Sequence, residues 1–159
     1  MKTSAKSPRK FDSLEQEAYL NLWRTYDRLR AIEDDLFGKH ELSAQQYNAL
    51  RILRGEHPVP IPTLLLARRL VSHAPDITRL LDKLESRKLI ERERPEHNRR
   101  MVLVRITREG LSLLSSLDQP VRKCSEVQLG HLSADQLKSL VQLLKLARRP
   151  HEADEEGWL

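Results

Sequence analysis

Residues 72–110, SHAPDITRLLDKLESRKLIERERPEHNRRMVLVRITREG, change from a helical to an alternating hydrophobic period and back again. Ile77, Leu80, Leu81 and Leu84 recur at i, i+3, i+4 and i+7, the stripe of a helix that buries one face. The opposite face displays His73, Asp76, Thr78, Arg79, Lys83 and Ser86. Ser72 is placed to cap this helix, which puts Pro75 in the first turn, where its missing N–H costs nothing. Leu89–Arg94 and Arg100–Thr107 are β-type runs joined by Pro95–Arg99, and Val102, Val104 and Ile106 alternate as a half-buried hairpin requires. Between Arg87 and Arg108, eight Lys/Arg stand against three Glu, a surplus of five that equals the formal charge of the whole chain. A helix leading into an arginine-tipped hairpin has the shape of a winged helix. Charge concentrated there suits a polyanion of regular geometry, double-stranded DNA first.

Upstream, Ser13–Gln16 is a capping-box pattern followed by Leu22, Tyr26, Leu29 and Leu36, which predicts a helix from about Ser13 to Phe37 ended by Gly38. Ser43–Gln46 opens a second helix carrying Tyr47, Leu50 and Leu53. The stretch Gly55–Pro62, GEHPVPIP, reads as a loop, after which Thr63 caps a short helix, Leu64–Leu70. With Val71–His73 as a tight turn, that helix and the next form a helix-turn-helix. Downstream, Thr107 caps a helix with Leu111, Leu114, Leu117 and Val121, interrupted near Pro120. Ser133–Gln136 starts a last helix with Leu137, Leu140, Leu144 and Ala147. The expected fold is mainly α: a winged helix-turn-helix lobe with a small β-hairpin wing, plus a helical region from the N- and C-terminal helices.

Composition narrows the classes. Aromatics make up 4 % while Leu is abundant, which favours helices over sheets. No run approaches the ~18–20 apolar residues of a membrane span, and the charged N-terminus lacks the apolar core of a secretion signal. A single cysteine, Cys124, excludes an internal disulfide framework and fits a reducing, cytoplasmic, nucleoid-associated setting. Residues 1–12 read as a basic flexible tail and 151–159 as an acidic one, flanking a single domain over 13–150. The six histidines are scattered, so no metal site is expected, and no phosphate loop, nucleophile elbow or paired carboxylates suggest catalysis or a cofactor.

Three segments together carry a more specific likeness: Asp76–Glu85 (DITRLLDKLE), Leu89–Arg92 (LIER) and Asn98–Gly110 (NRRMVLVRITREG). In this order and spacing they resemble the MarR family of bacterial transcription regulators, over about Leu14 to Ala147. The resemblance implies a homodimer whose first and last two helices interlock, with a lobe over about 43–107 and dimerisation helices over about 13–37 and 107–148. It also implies a recognition helix in the major groove and a wing reaching the neighbouring minor groove. Two positions depart from the family pattern: Asn98 stands where an Asp often braces the wing arginine, and Lys88 where Gly is favoured.

On these grounds Ser72, His73, Asp76, Thr78, Arg79, Lys83, Arg99 and Arg100 are the candidate DNA contacts. Arg79 suits guanine O6/N7, Thr78 a base edge or thymine methyl, and Ser72 with the helix N-terminus a phosphate. Asp76 either orients Arg79 or accepts from a cytosine amino group. Arg99 and Arg100 alternate sides of a strand, so one enters the groove; the family match favours Arg100, leaving Arg99 to phosphate. Leu14, Leu22, Leu137, Leu140 and Leu144 are the candidate dimerisation residues. Cys124 continues the stripe of Leu111, Leu114 and Leu117, as a packing residue rather than a redox switch. Trp23, Tyr26 and Tyr47 either line a pocket for a small aromatic or phenolic effector, as MarR relatives have, or are core aromatics. A rival use of the same fold is a protein–protein module whose wing pairs with an acidic partner.

Overall fold

The computed structural model describes residues 10–152, so the basic tail as far as residue 9 and the acidic tail from residue 153 lie outside the described residues. Helix α1 (Leu14–Gly38) begins where Ser13 Oγ accepts from the Gln16 N–H at 3.0 Å. The expected reciprocal bond is absent, because Gln16 Oε1 accepts from Asp12 N–H instead. The helix ends at Gly38 as expected, but Gly38 is not left-handed. The left-handed residue is Glu41 (φ 54°), with Leu42 N–H donating to Phe37 O at 3.0 Å and Glu41 N–H to Gly38 O at 3.1 Å. Burial explains the shift: Phe37 and Leu42 both enter the core, and this closure joins two apolar residues across the helix end.

Helix α2 (Ala44–Glu56) opens with the full Ser43–Gln46 capping box. The stretch expected to be all loop instead gives strand β1 (Ile61–Pro62), where Pro62 is tolerated on a sheet edge. Helix α3 (Thr63–Arg69) follows without a side-chain cap. Thr63 is drawn away to the sheet, its N–H and Oγ1 both donating to Val102 O at 2.9 and 3.1 Å. Helix α4 (Ile77–Ser86) precedes strands β2 (Ile90–Glu93) and β3 (Leu103–Ile106), both shorter than their apolar runs. The antiparallel sheet has the order β1-β3-β2, with Ile61 opposite Val104 and Ile90 opposite Ile106.

Helix α5 (Arg108–Leu129) is capped by Thr107, whose Oγ1 accepts from Gly110 N–H. It runs unbroken through Pro120, contrary to the predicted interruption. Leu114 and Leu117 are buried before the proline, and after it Gln128 Nε2 donates to Leu29 O of α1 at 2.9 Å. Anchoring on both sides outweighs one missing helical bond. Helix α6 (Ala134–Arg148), started by the Ser133–Gln136 capping box, leads into a single 3₁₀ turn, Arg149–His151.

The core gathers Phe37, Leu50, Leu53, Leu66, Leu81, Leu84, Ile90, Val104, Leu114 and Leu117. It therefore lies inside the winged lobe and is closed by the end of α1 and the first half of α5. Gly110 is required where α5 meets the base of the wing, since a Cβ there would stand 2.3 Å from Leu89 O. Helix α6 has no buried residue, and α1 has only Phe37. Among the described residues no helix is long and apolar enough to cross a membrane.

Candidate nucleic-acid interface

Helix α4 is fixed at both ends. Asp76, not Ser72, is its N-cap, with Oδ1 accepting from Arg79 N–H at 2.9 Å. The helix thus starts later than expected, and Pro75 precedes it, consistent with proline's exclusion of helical geometry from the residue before it. The Asp76 carboxylate meets the backbone N–H of Arg79. Ser72 lies in the turn, where its Oγ accepts from Gln45 Nε2 at 3.3 Å. At the other end Leu89 N–H donates to Leu84 O and Lys88 N–H to Glu85 O, with Lys88 left-handed at φ 59°. Leu84 and Leu89 are both buried, which completes this closure. Arg87 secures the same end from outside, donating through Nη1 to Glu41 O (2.8 Å) and through Nη2 to His40 O (3.2 Å).

Leu80, Leu81 and Leu84 are buried beneath α4 and Ile77 partly so, leaving Thr78, Arg79 and Lys83 exposed with Ser72, His73 and Asp76 at the same end. The wing is fastened to this helix by one arginine. Arg92 of β2 donates through Nε (3.0 Å) and Nη2 (2.5 Å) to Glu85 Oε2, through its N–H to Glu85 Oε1 (3.2 Å), and through Nη2 to Asp82 Oδ1 (2.6 Å). Those bonds hold the Glu85 carboxyl below its usual range and raise the Arg92 guanidinium. Sequence reading missed this hub. Its signal was present as two acids three apart on the helix, followed by the arginine of Leu89–Arg92.

The wing tip corrects one argument. Arg99 and Arg100 lie in the turn rather than on β3, so strand alternation does not separate their roles. Both are exposed. Asn98 shapes the turn: its Oδ1 accepts from Arg100 N–H (3.3 Å), and its carbonyl accepts from Met101 N–H (3.1 Å). Arg94 Nη1 donates to Arg99 O at 2.9 Å. A cleft of about 690 Å³ runs between α4 and the wing, lined by Thr78, Glu85, Arg92, Arg94, Asn98 and Arg100 among others.

The charges therefore divide into two sets. Arg92 is taken by Glu85 and Asp82, and Arg105 pairs with Glu91 and Glu93. Among the described residues, Arg79, Lys83, Arg99 and Arg100 are exposed and form no ion pair. Arg92 and Arg105 are paired within the wing, whereas Arg79, Lys83, Arg99 and Arg100 remain open on helix and tip.

The other candidates sit elsewhere. Tyr47 is in the core, stacked on Phe37 at 4.4 Å between ring centroids, whereas Trp23 and Tyr26 are 60 % and 59 % exposed on α1. The three aromatics do not meet within one chain. Leu14 and Leu22 are exposed, while Leu137, Leu140 and Leu144 are half-buried. Cys124 is half-buried on α5, and burial, with Glu33 nearby, pushes its thiol up.

The sequence pattern of the MarR family matches residues 42–102, which span α2, the helix-turn-helix and the wing tip. A MarR transcription factor from Planctomyces limnophilus is 58 % identical, with a TM-score of 0.69, over 86 % of this chain and 99 % of its own. The HTH-type transcriptional repressor NicR of Pseudomonas putida is 29 % identical over 92 % of this chain and 89 % of its own length. The fold recurs in Bordetella bronchiseptica BpsR, whose DNA binding is regulated by 6-hydroxynicotinic acid, at 22 % identity and a TM-score of 0.74 over 82 % of this chain and 98 % of that one. A winged lobe built around Arg92, and a close match along nearly the whole of a MarR transcription factor, place this chain in the MarR family of DNA-binding transcription regulators.

Proposed function

We propose that this regulator is a repressor, acting as a cytoplasmic homodimer on a pseudo-palindromic duplex whose half-site centres lie about one helical turn (~10 bp) apart. The observation that carries the reading is the division of charge just described. The α4 face and the wing tip present Arg79, Lys83, Arg99 and Arg100 exposed and without an ion pair among the described residues, and counterion release from phosphates rewards such groups. In this reading Arg79 and Thr78 meet base edges. Ser72, His73, Lys83 and Arg99 meet phosphate, and Arg100 enters the minor groove. Asp76 serves through its cap.

The dimer reading rests on uncovered apolar surface. Leu14, Tyr19, Leu22, Trp23 and Tyr26 on α1, with Val141, Leu143 and Leu146 on α6, are all exposed in the single chain. Apolar side chains exposed together on two helices mark an interaction surface. The proposed division is a lobe over about 43–107 with dimerisation helices on either side. A small aromatic or phenolic effector is proposed to bind near Trp23 and Tyr26, while Tyr47 packs in the core. It would favour a dimer whose lobes no longer match the half-site spacing. BpsR, a structural relative, is regulated by such a compound.

Selection of duplexes from a random library, followed by salt titration of the enriched sequence, tests the reading. A steep fall of log affinity with log salt and a two-fold-symmetric enriched site support it. Weak binding without sequence preference contradicts it.

A further inference from the structure

The connection between α3 and α4, residues 70–76, forms neither helix nor strand. Leu70 and Ala74 are buried and pin it at two points, while Val71, Ser72 and His73 are exposed. Among the described residues, residues 71–75 donate no backbone-to-backbone hydrogen bond, so the main chain does not hold the shape of this turn. Helix α2 supplies the missing bonds. Asn48 Oδ1 accepts from Val71 N–H at 2.9 Å. Three residues earlier on the same helix face, Gln45 Nε2 donates to Ser72 Oγ (3.3 Å) and His73 O (3.4 Å). Both amides are half-buried, and the shorter Asn48 bond is the stronger anchor.

We propose that Asn48 and Gln45 are positioning residues for sequence recognition: they fix the turn from which α4 departs, and so the aim of Thr78 and Arg79. The proposal rests on the reading of α4 as the base-reading helix. Its consequence is selective. Phosphate contacts from long side chains survive a small displacement, whereas a bidentate contact to a base edge does not. Loosening the clamp therefore removes preference rather than general attraction to duplex DNA.

The test uses the full chain, a duplex enriched by the wild-type protein and a random duplex pool. The double variant Gln45→Met/Asn48→Ala should exchange the Val71 amide faster, with the Leu80–Leu84 amides unchanged. It should bind the enriched duplex about tenfold more weakly, while random-pool binding and the salt slope stay at wild-type values. Asn48→Asp keeps the acceptor and should restore slow exchange at Val71, which a variant that merely damaged packing would not do. Unchanged exchange in the double variant overturns the clamp. So does faster exchange with wild-type binding to the enriched duplex while Arg79→Ala loses affinity. If Arg79→Ala also binds as wild type, the base-reading role of α4 falls and the proposal falls with it, an outcome distinct from a failed clamp.

Discussion

Arg92 on β2 and Glu85 on α4 share three hydrogen bonds, of 2.5, 3.0 and 3.2 Å, and the Arg92 guanidinium reaches Asp82 at 2.6 Å. Arg92 thus adds a polar tie to the apolar packing of helix against wing and neutralises two acids near the proposed DNA face.

Arg92→Gln should loosen this joint and leave both carboxylates uncompensated. The pair is partly exposed, with side-chain exposures of 22 % and 39 %, so the stability loss should stay near ~1 kcal/mol. Duplex binding should fall more than stability does, because two negative charges then face phosphate. Adding Glu85→Gln to that variant should recover part of the binding. Additive losses in the double variant would mean that the two residues act independently.

Acidification should expose the same joint. Hydrogen bonds from Arg92 hold the Glu85 carboxyl below its ordinary 4.5, and those from Arg54 hold Asp118 below 3.8. A carboxyl depressed in the folded state contributes stability above its unfolded value and loses it as pH falls through the folded one. Urea unfolding should therefore show falling stability below about pH 4.5. Glu85→Gln and Asp118→Asn should each flatten that decline. An acid limb of unchanged steepness in both variants would remove these pairs from the account.

Lys88 holds a left-handed conformation that costs a residue with a Cβ about 1 kcal/mol. Its carbonyl also accepts from Thr107 Oγ1 at 2.6 Å, a bond that glycine preserves. Lys88→Gly should raise the melting temperature by a few degrees, as calorimetry can show. A lower melting temperature would mean that the Lys88 side chain contributes more than its backbone costs.

Helix α6 has no fully buried residue within its own chain. If it packs against a second copy, deletion of residues 133–159 should abolish dimerisation and with it tight binding to a two-fold site. Sedimentation of the truncated chain decides this, and a dimer of undiminished affinity would contradict the assignment.

What was legible in the sequence follows from what each signal depends on. The buried stripe of α4, the caps at Ser43, Thr107 and Ser133, and the alternation through Val104 and Ile106 are local patterns, and the structure contains them. The misreadings arose where tertiary contacts override local preference. The left-handed closure after α1 fell at Glu41 rather than Gly38 as Phe37 and Leu42 became buried, Thr63 left its cap for Val102, and Pro120 was carried through a well-anchored helix. The candidate contacts on α4 are exposed as their spacing predicted. The Arg92 hub stayed hidden because it joins a helix to a strand, a pairing that periodicity does not report. The aromatics read together, Trp23, Tyr26 and Tyr47, are divided between the surface of α1 and the core.

The central claim is that α4 reads sequence while the wing supplies attraction, and comparing Arg79→Ala with Arg100→Ala tests it most directly. Each variant should be titrated with the enriched duplex and with random duplex over a range of salt. Arg79→Ala should cost ~1–3 kcal/mol on the enriched duplex and little on random DNA. Arg100→Ala should weaken both alike and flatten the salt slope, leaving base preference nearly intact. If Arg100→Ala instead erases discrimination while Arg79→Ala spares it, the roles assigned to helix and wing are wrong.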